Sequence, residues 1–159
     1  LQQSWCFHYS MSKLIRTATY ADSFELAKNL RAEDRREVEG LGHPTFAIPL
    51  SLGFSDTAVS FFGKDGSLAG VAGIVRQSED IGAIWMLCTP VVQKYPITFV
   101  REAVAWVDSI KGYKLLWNIV DQRNTIHLKL LKKLGFKAIK QLNLGPQFLP
   151  YLEIVKLCV

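Results

Sequence analysis

The hydrophobic period changes twice between residues 113 and 141, and few folds accommodate that change. Tyr113–Val120 is a short apolar run rich in strand-favouring residues. A polar break follows, with Asp121 and Asn124 as two possible helix caps. Ile126, Leu130 and Leu134 then recur at a spacing of four, with Leu131 beside them, so one face is apolar while Lys129, Lys132 and Lys133 point elsewhere. Gly135 suits a left-handed cap, and Phe136 opens a strand to about Gln141. The unit reads strand, helix, Gly-Phe, strand.

Upstream, Leu14–Thr19 reads as a first strand. Asp22 and Glu25 form a capping box for a helix with Leu26, Ala27 and Leu30 on its apolar stripe. That helix continues through the charged run Arg31–Glu39 to Gly40 and Gly42, a run expected to be a solvated face or a border of a cleft. Pro44–Gly53 suits a short second helix. Thr57–Phe62 and Leu68–Arg76 are strands joined by a hairpin turn at Lys64-Asp65-Gly66-Ser67, and Gly70 and Gly73 imply close packing or a bulge. Ile81–Cys88 is an apolar strand, expected to be buried on both faces. Thr98 can cap a third helix with Phe99, Ala103, Trp106, Val107 and Ile110 inward, closed by Gly112. That helix lets Ile81–Cys88 and Tyr113–Val120 run parallel. A last strand spans Tyr151–Leu157.

The chain has 159 residues, 49% hydrophobic and 21% charged, which suits one globular domain. Residues 1–10 fit no pattern and precede Met11, so they are expected to be a disordered, dispensable leader to a domain over 11–159. No apolar run reaches the length that spans a membrane. Cys6, Cys88 and Cys158 lack metal-ligand spacing, no metal is expected, and Cys88 and Cys158 read as reduced core thiols. Residues 1–90 hold ten acidic against eight basic side chains, and residues 91–140 three against ten. The basic half could face a phosphate-bearing ligand or be the solvated face of two helices. Nucleic acid is not favoured, because no aromatic residues interleave the lysines at 129, 132, 133, 137 and 140.

Asn124 and Leu134-Gly135-Phe136 fall at the spacing of the last motif of the GNAT acetyltransferases, and the order of elements is theirs, so residues 13–157 resemble that family. The resemblance implies an α/β (α+β) domain, with a mixed central sheet flanked by about four helices and a splay between strands 4 and 5 that admits acetyl-CoA. The runs Arg16–Glu37, Gly82–Thr89 and Leu116–Asn124 also resemble a family of small tailed-phage proteins of GNAT-like fold, which includes an internal virion protein of T7-like phages. That narrower resemblance implies a virion or assembly accessory working through phage or host proteins, located in the virion or host-cell cytoplasm and not secreted. The alternative is an acetyl-CoA-dependent N-acetyltransferase acting on an amine.

For the cofactor, the resemblance implies backbone contacts at Leu87, Cys88 and Thr89, with Gln93 and Asn124. GNAT enzymes bind pyrophosphate on backbone N–H groups behind a Gln/Arg-x-x-Gly-x-Gly/Ala motif. Here Gln93 matches, but Pro96 and Thr98 replace both small residues, and proline has no N–H. Acetyl-CoA binding is therefore expected to be weak or lost. Leu131 stands where many of these enzymes carry a tyrosine acid. His127, one turn earlier, is either a proton carrier or a core-edge histidine. Ile81–Cys88 carries no acid, which leaves Asp121, Asp80 and Glu79 at element ends as possible cleft carboxylates; Asp121 and His127 are the catalytic candidates.

Overall fold

The computed structural model describes residues 12–158; the expected leader, with Cys6, lies outside the described residues. In chain order the elements are β1 (Ile15–Thr17), α1 (Tyr20–Lys28), α2 (Ala32–Gly40), α3 (Ala47–Phe54), β2 (Thr57–Phe62), β3 (Leu68–Arg76), β4 (Ile81–Cys88), α4 (Val91–Lys94), α5 (Pro96–Ser109), β5 (Leu115–Asp121), α6 (Thr125–Lys133), β6 (Lys137–Leu144) and β7 (Leu149–Leu157). They build one α/β domain around a mixed seven-stranded sheet ordered β1-β2-β3-β4-β5-β7-β6. No helix among the described residues is long and apolar enough to cross a membrane.

Six helices replace the expected four, for two reasons. First, the expected long helix breaks at Asn29–Arg31: Arg31 takes an extended ψ of 142° and its N–H donates to the Cys88 carbonyl at 2.8 Å. The chain gives up one helical turn to reach the end of β4. Second, α4 is a separate four-residue turn ahead of α5. The cap of α1 also sits a turn earlier than expected. Thr19 is the N-cap, and Asp22 is its reciprocal partner rather than the cap itself. Thr98 caps nothing; Pro96 occupies the first turn of α5, where its missing N–H costs the helix no internal bond.

The sheet separates two apolar layers. On one face α5 and α6 bury Phe99, Ala103, Trp106, Val107, Leu131 and Leu134; on the other, α1 and α3 bury Leu26, Leu30 and Ile48 against Leu68 and Val71. β4 alternates half-buried and buried residues instead of burying both faces, with Ile84, Met86 and Cys88 among the buried set. Gly73 admits the Trp85 ring, since a Cβ there would lie 2.7 Å from the indole Nε1. Close packing and a bulge both occur in this hairpin, because the β2–β3 register slips between Phe61↔Gly70 and Phe62↔Leu68.

Strands β4 and β5 run parallel as expected, and they pair only at Ile81–Ala83 with Leu115–Trp117. Beyond that they part, and β5 pairs along its whole length with β7 instead. The helix α6 starts at Asn124, whose side chain accepts from the His127 N–H, and Gly135 closes it at φ 92°. Ile126 is an exception to its expected inward face, being 56% exposed.

Candidate functional site

Among the described residues, the sheet ladder opens in its interior at a gap between β4 and β5, which pair at three positions only. Backbone groups of alternate β4 residues point across it. The Ile84 carbonyl accepts from the Asn118 side-chain amide, which reaches over from β5. At the far end both backbone groups of Cys88 are taken from α2: its N–H donates to Asp34 Oδ2 at 2.8 Å and its carbonyl accepts from Arg31. Met86 lies between them, on the same side of the strand by alternation, with no hydrogen bond across the gap among the described residues. Its N–H and C=O are the unused pair of this strand.

Two cavities meet at this point. One, of about 400 Å³, runs between β4, α5 and α6 and is bordered by Cys88, Gln93, Pro96, Phe99, Lys129 and Lys133. The other, of about 190 Å³, lies under α2 and α3 on the other side of the gap. Met86 and His127 border both.

His127 is held by a buried ionic network. Arg31 donates to Asp34 Oδ1 and to Asn124 Oδ1, each at 3.1 Å. Asn124 Nδ2 donates to Asp34 at 2.9 Å and to Glu37 at 3.4 Å, and the Asp121 N–H donates to Glu37 at 2.7 Å. Arg31, Asp34, Glu37 and Asn124 are all at most 5% exposed. His127 Nδ1 approaches Glu37 Oε2 at 3.6 Å, an ion-pair distance too long for a hydrogen bond, and the nitrogen is otherwise unpartnered. Burial works against a charged imidazole, but Glu37 outweighs it, helped by Asp34 behind, and the His127 pKa lies above the ordinary histidine value. Ligating atoms of Asp34, Glu37 and His127 fall within 4.8 Å of one another, yet the carboxylates are already engaged by Arg31, Asn124 and backbone N–H groups.

The charged run that opens α2 is thus not a solvated face at its inner positions. Arg31, Asp34 and Glu37 recur every third residue on one side of the helix, and that spacing was the available signal. Sequence reasoning missed Glu37 because a dense charge run ordinarily faces water, and missed Met86 because a backbone pair has no sequence signature.

The expected site residues separate. Cys88 and Gln93 border the larger cavity, and Leu87 borders the smaller. The Thr89 hydroxyl and N–H are bound to the Leu68 and Ala69 carbonyls of β3, and Asn124 braces the network behind the cleft. Burial lifts the Cys88 thiol well above its ordinary pKa, so no thiolate stands ready there. Asp121 is fully buried and borders neither cavity; although burial opposes its charge, Arg123 bonds at 2.7 and 3.0 Å hold its carboxyl below the usual range. Asp80 pairs with Lys114 at 3.1 Å. Lys94 is paired with Asp65 at 3.3 Å.

No family model matches the chain, and no curated protein matches it. Solved structures do. A GNAT superfamily phosphinothricin acetyltransferase from Sinorhizobium meliloti, in complex with acetyl-CoA, superposes with a TM-score of 0.67 at 14% identity, over 90% of this chain and 86% of that one. Spermidine N-acetyltransferase from Vibrio cholerae, in complex with CoA and spermine, gives 0.66 at 11%, over 90% and 94%. A GNAT-family acetyltransferase from Streptococcus pneumoniae gives 0.61 at 19%, over 92% and 99%.

Proposed function

From the GNAT fold that these superpositions share with this chain, we propose an N-acetyltransferase that takes acetyl-CoA into the β4–β5 gap and delivers the acetyl group to an amine. At such identities the likeness speaks only for the fold. The reading is carried by one observation: His127, half-buried and biased toward its charged form, borders both cavities beside the Met86 backbone pair, which has no partner across the gap among the described residues.

Acetyl-CoA supplies an activated acetyl group and a thiolate leaving group. The Met86 N–H is placed to hold the thioester oxygen, where charge grows during attack. With Nδ1 turned to Glu37, the His127 Nε2 faces the cleft and donates the proton the sulfur needs. Glu37 favours the charged imidazole, and Asn124 fixes the start of α6 so that the ring stays in place. Lys129, Lys133 and Gln93 border the larger cavity and can hold the phosphates. The grip is looser than the family's usual one, because Pro96 offers no N–H at the head of α5.

A virion-assembly role would use the charged end of α2 as a contact surface. With Arg31, Asp34 and Glu37 turned inward, only Arg36 and Glu39 of that run's charged side chains are exposed, flanked by half-exposed Glu33 and Arg35.

Calorimetric titration with acetyl-CoA tests the proposal. Binding is expected in the wild type and at least tenfold weaker in the Lys129→Ala, Lys133→Ala double variant, since one charge-assisted bond contributes about 1.5–3 kcal/mol and 1.4 kcal/mol is tenfold. No binding, or binding indifferent to both lysines, would overturn it.

A further inference from the structure

We infer that the acceptor is a small primary monoamine with an apolar, benzyl-sized body and no second charge, an assignment that rests on the N-acetyltransferase reading above. The 190 Å³ cavity is walled by Val38, Leu41, Ile48, Ile119, Leu134 and Phe136. An apolar cavity of about 150 Å³ admits benzene, so the space suits one aromatic ring or a short alkyl chain.

The polar groups in its wall are nearly all spent. Glu37 and His127 face each other. The Asn118 amide is committed to the Ile84 carbonyl, and the Ser51 hydroxyl donates to the Ala47 carbonyl at 3.0 Å. The Trp85 indole N–H donates to the Ser55 hydroxyl at 2.9 Å, and His43, the remaining polar side chain, is exposed. A polyamine would bury an ammonium at its far end with no free carboxylate to meet it. An amino acid would bury a carboxylate whose only cationic neighbour, His127, is already paired. Both are disfavoured by unpaired burial of charge.

The reactive end is set by the junction of the cavities. An amine whose body fills the smaller cavity reaches the thioester beside Met86 and His127. The amine enters as the free base, having left its proton to solvent; its nitrogen bonds to the thioester carbon and the carbon–sulfur bond breaks. Sulfur takes the proton from the His127 imidazolium, and the proton shed by the nitrogen returns to the imidazole, giving an amide and free CoA thiol.

The test compares CoA thiol release from acetyl-CoA with benzylamine, phenethylamine, spermidine and lysine as acceptors. Benzylamine or phenethylamine should exceed spermidine and lysine at least tenfold in kcat/KM. Ala47→Phe, which fills the cavity, should abolish that turnover while the calorimetric Kd for acetyl-CoA is unchanged; Val38→Trp on half-exposed α2 serves if Ala47→Phe does not fold. Equal or better turnover of spermidine or lysine overturns the acceptor assignment, as does intact acetyl-CoA binding with no monoamine turnover. Should acetyl-CoA itself not bind, the N-acetyltransferase reading falls, and benzylamine binding to the chain alone, followed by ligand-observed NMR, decides the cavity: binding lost in Ala47→Phe supports it and no binding overturns it.

Discussion

At the scale of single residues, His127 and Glu37 carry the chemistry and Asp34 carries the stability. His127→Gln should lower kcat by about 100-fold or more, the usual worth of a positioned acid, while acetyl-CoA affinity stays within twofold; equal losses in both would assign His127 a packing role. The pH dependence has a defined sign. Because the folded His127 pKa is raised, its ion pair contributes stability fully below the ordinary histidine pKa, and that contribution fades as pH climbs through the raised value. Activity should fall over the same interval, and Glu37→Gln should move the fall to lower pH. Asp34→Ala strands Arg31 in a buried site and should cost about 3–5 kcal/mol in denaturant unfolding, far more than Arg36→Ala on the exposed face of the same helix. His127 was visible in the sequence as a histidine one turn beyond a helix cap. Glu37 was not, because charge spacing of three on a helix becomes a signal only once something is known to pack against that face.

At the scale of elements, strand and helix periods were legible where turn chemistry marked their ends, and less so where tertiary contacts set them. The hairpin of β2 and β3 falls where Asp65-Gly66 and the flanking alternation put it, and Gly135 closes α6 with a positive φ as its position implied. The break between α1 and α2 carries neither Gly nor Pro; locally only Asn29 caps α1, its side-chain amide donating to the Glu25 carbonyl at 2.9 Å, and Arg31 then bonds to Cys88 across the fold. Ile126 matched the apolar period yet is 56% exposed, at the rim of the larger cavity. Pro96 gives this scale its own prediction. Pro96→Gly with Thr98→Gly restores a backbone donor and a close approach at the head of α5, and acetyl-CoA affinity by calorimetry should rise about tenfold, one charge-assisted bond's worth. Leu131→Tyr alone should leave that affinity unchanged, because the side chain it replaces packs in the core.

At the scale of the whole molecule, the order of elements specified the mixed sheet and the parallel opening between β4 and β5, and that topology was the most legible property of all. Charge was legible as an imbalance but not as a surface. Of the ten basic side chains in residues 91–140, three are paired, Lys94 with Asp65, Lys114 with Asp80 and Arg123 with Asp121, and Lys129 and Lys133 border the larger cavity. Acetyl-CoA affinity should therefore weaken as salt rises, since exposed charges are screened over about 8–10 Å at physiological ionic strength. Acetyl-CoA seated in the gap would lie against the Met86 backbone. A ¹H–¹⁵N NMR titration with acetyl-CoA should move the Met86 amide downfield together with the His127 resonances, leaving those at the far end of α5 in place; unmoved Met86 and His127 signals at saturating acetyl-CoA would contradict binding in the β4–β5 gap.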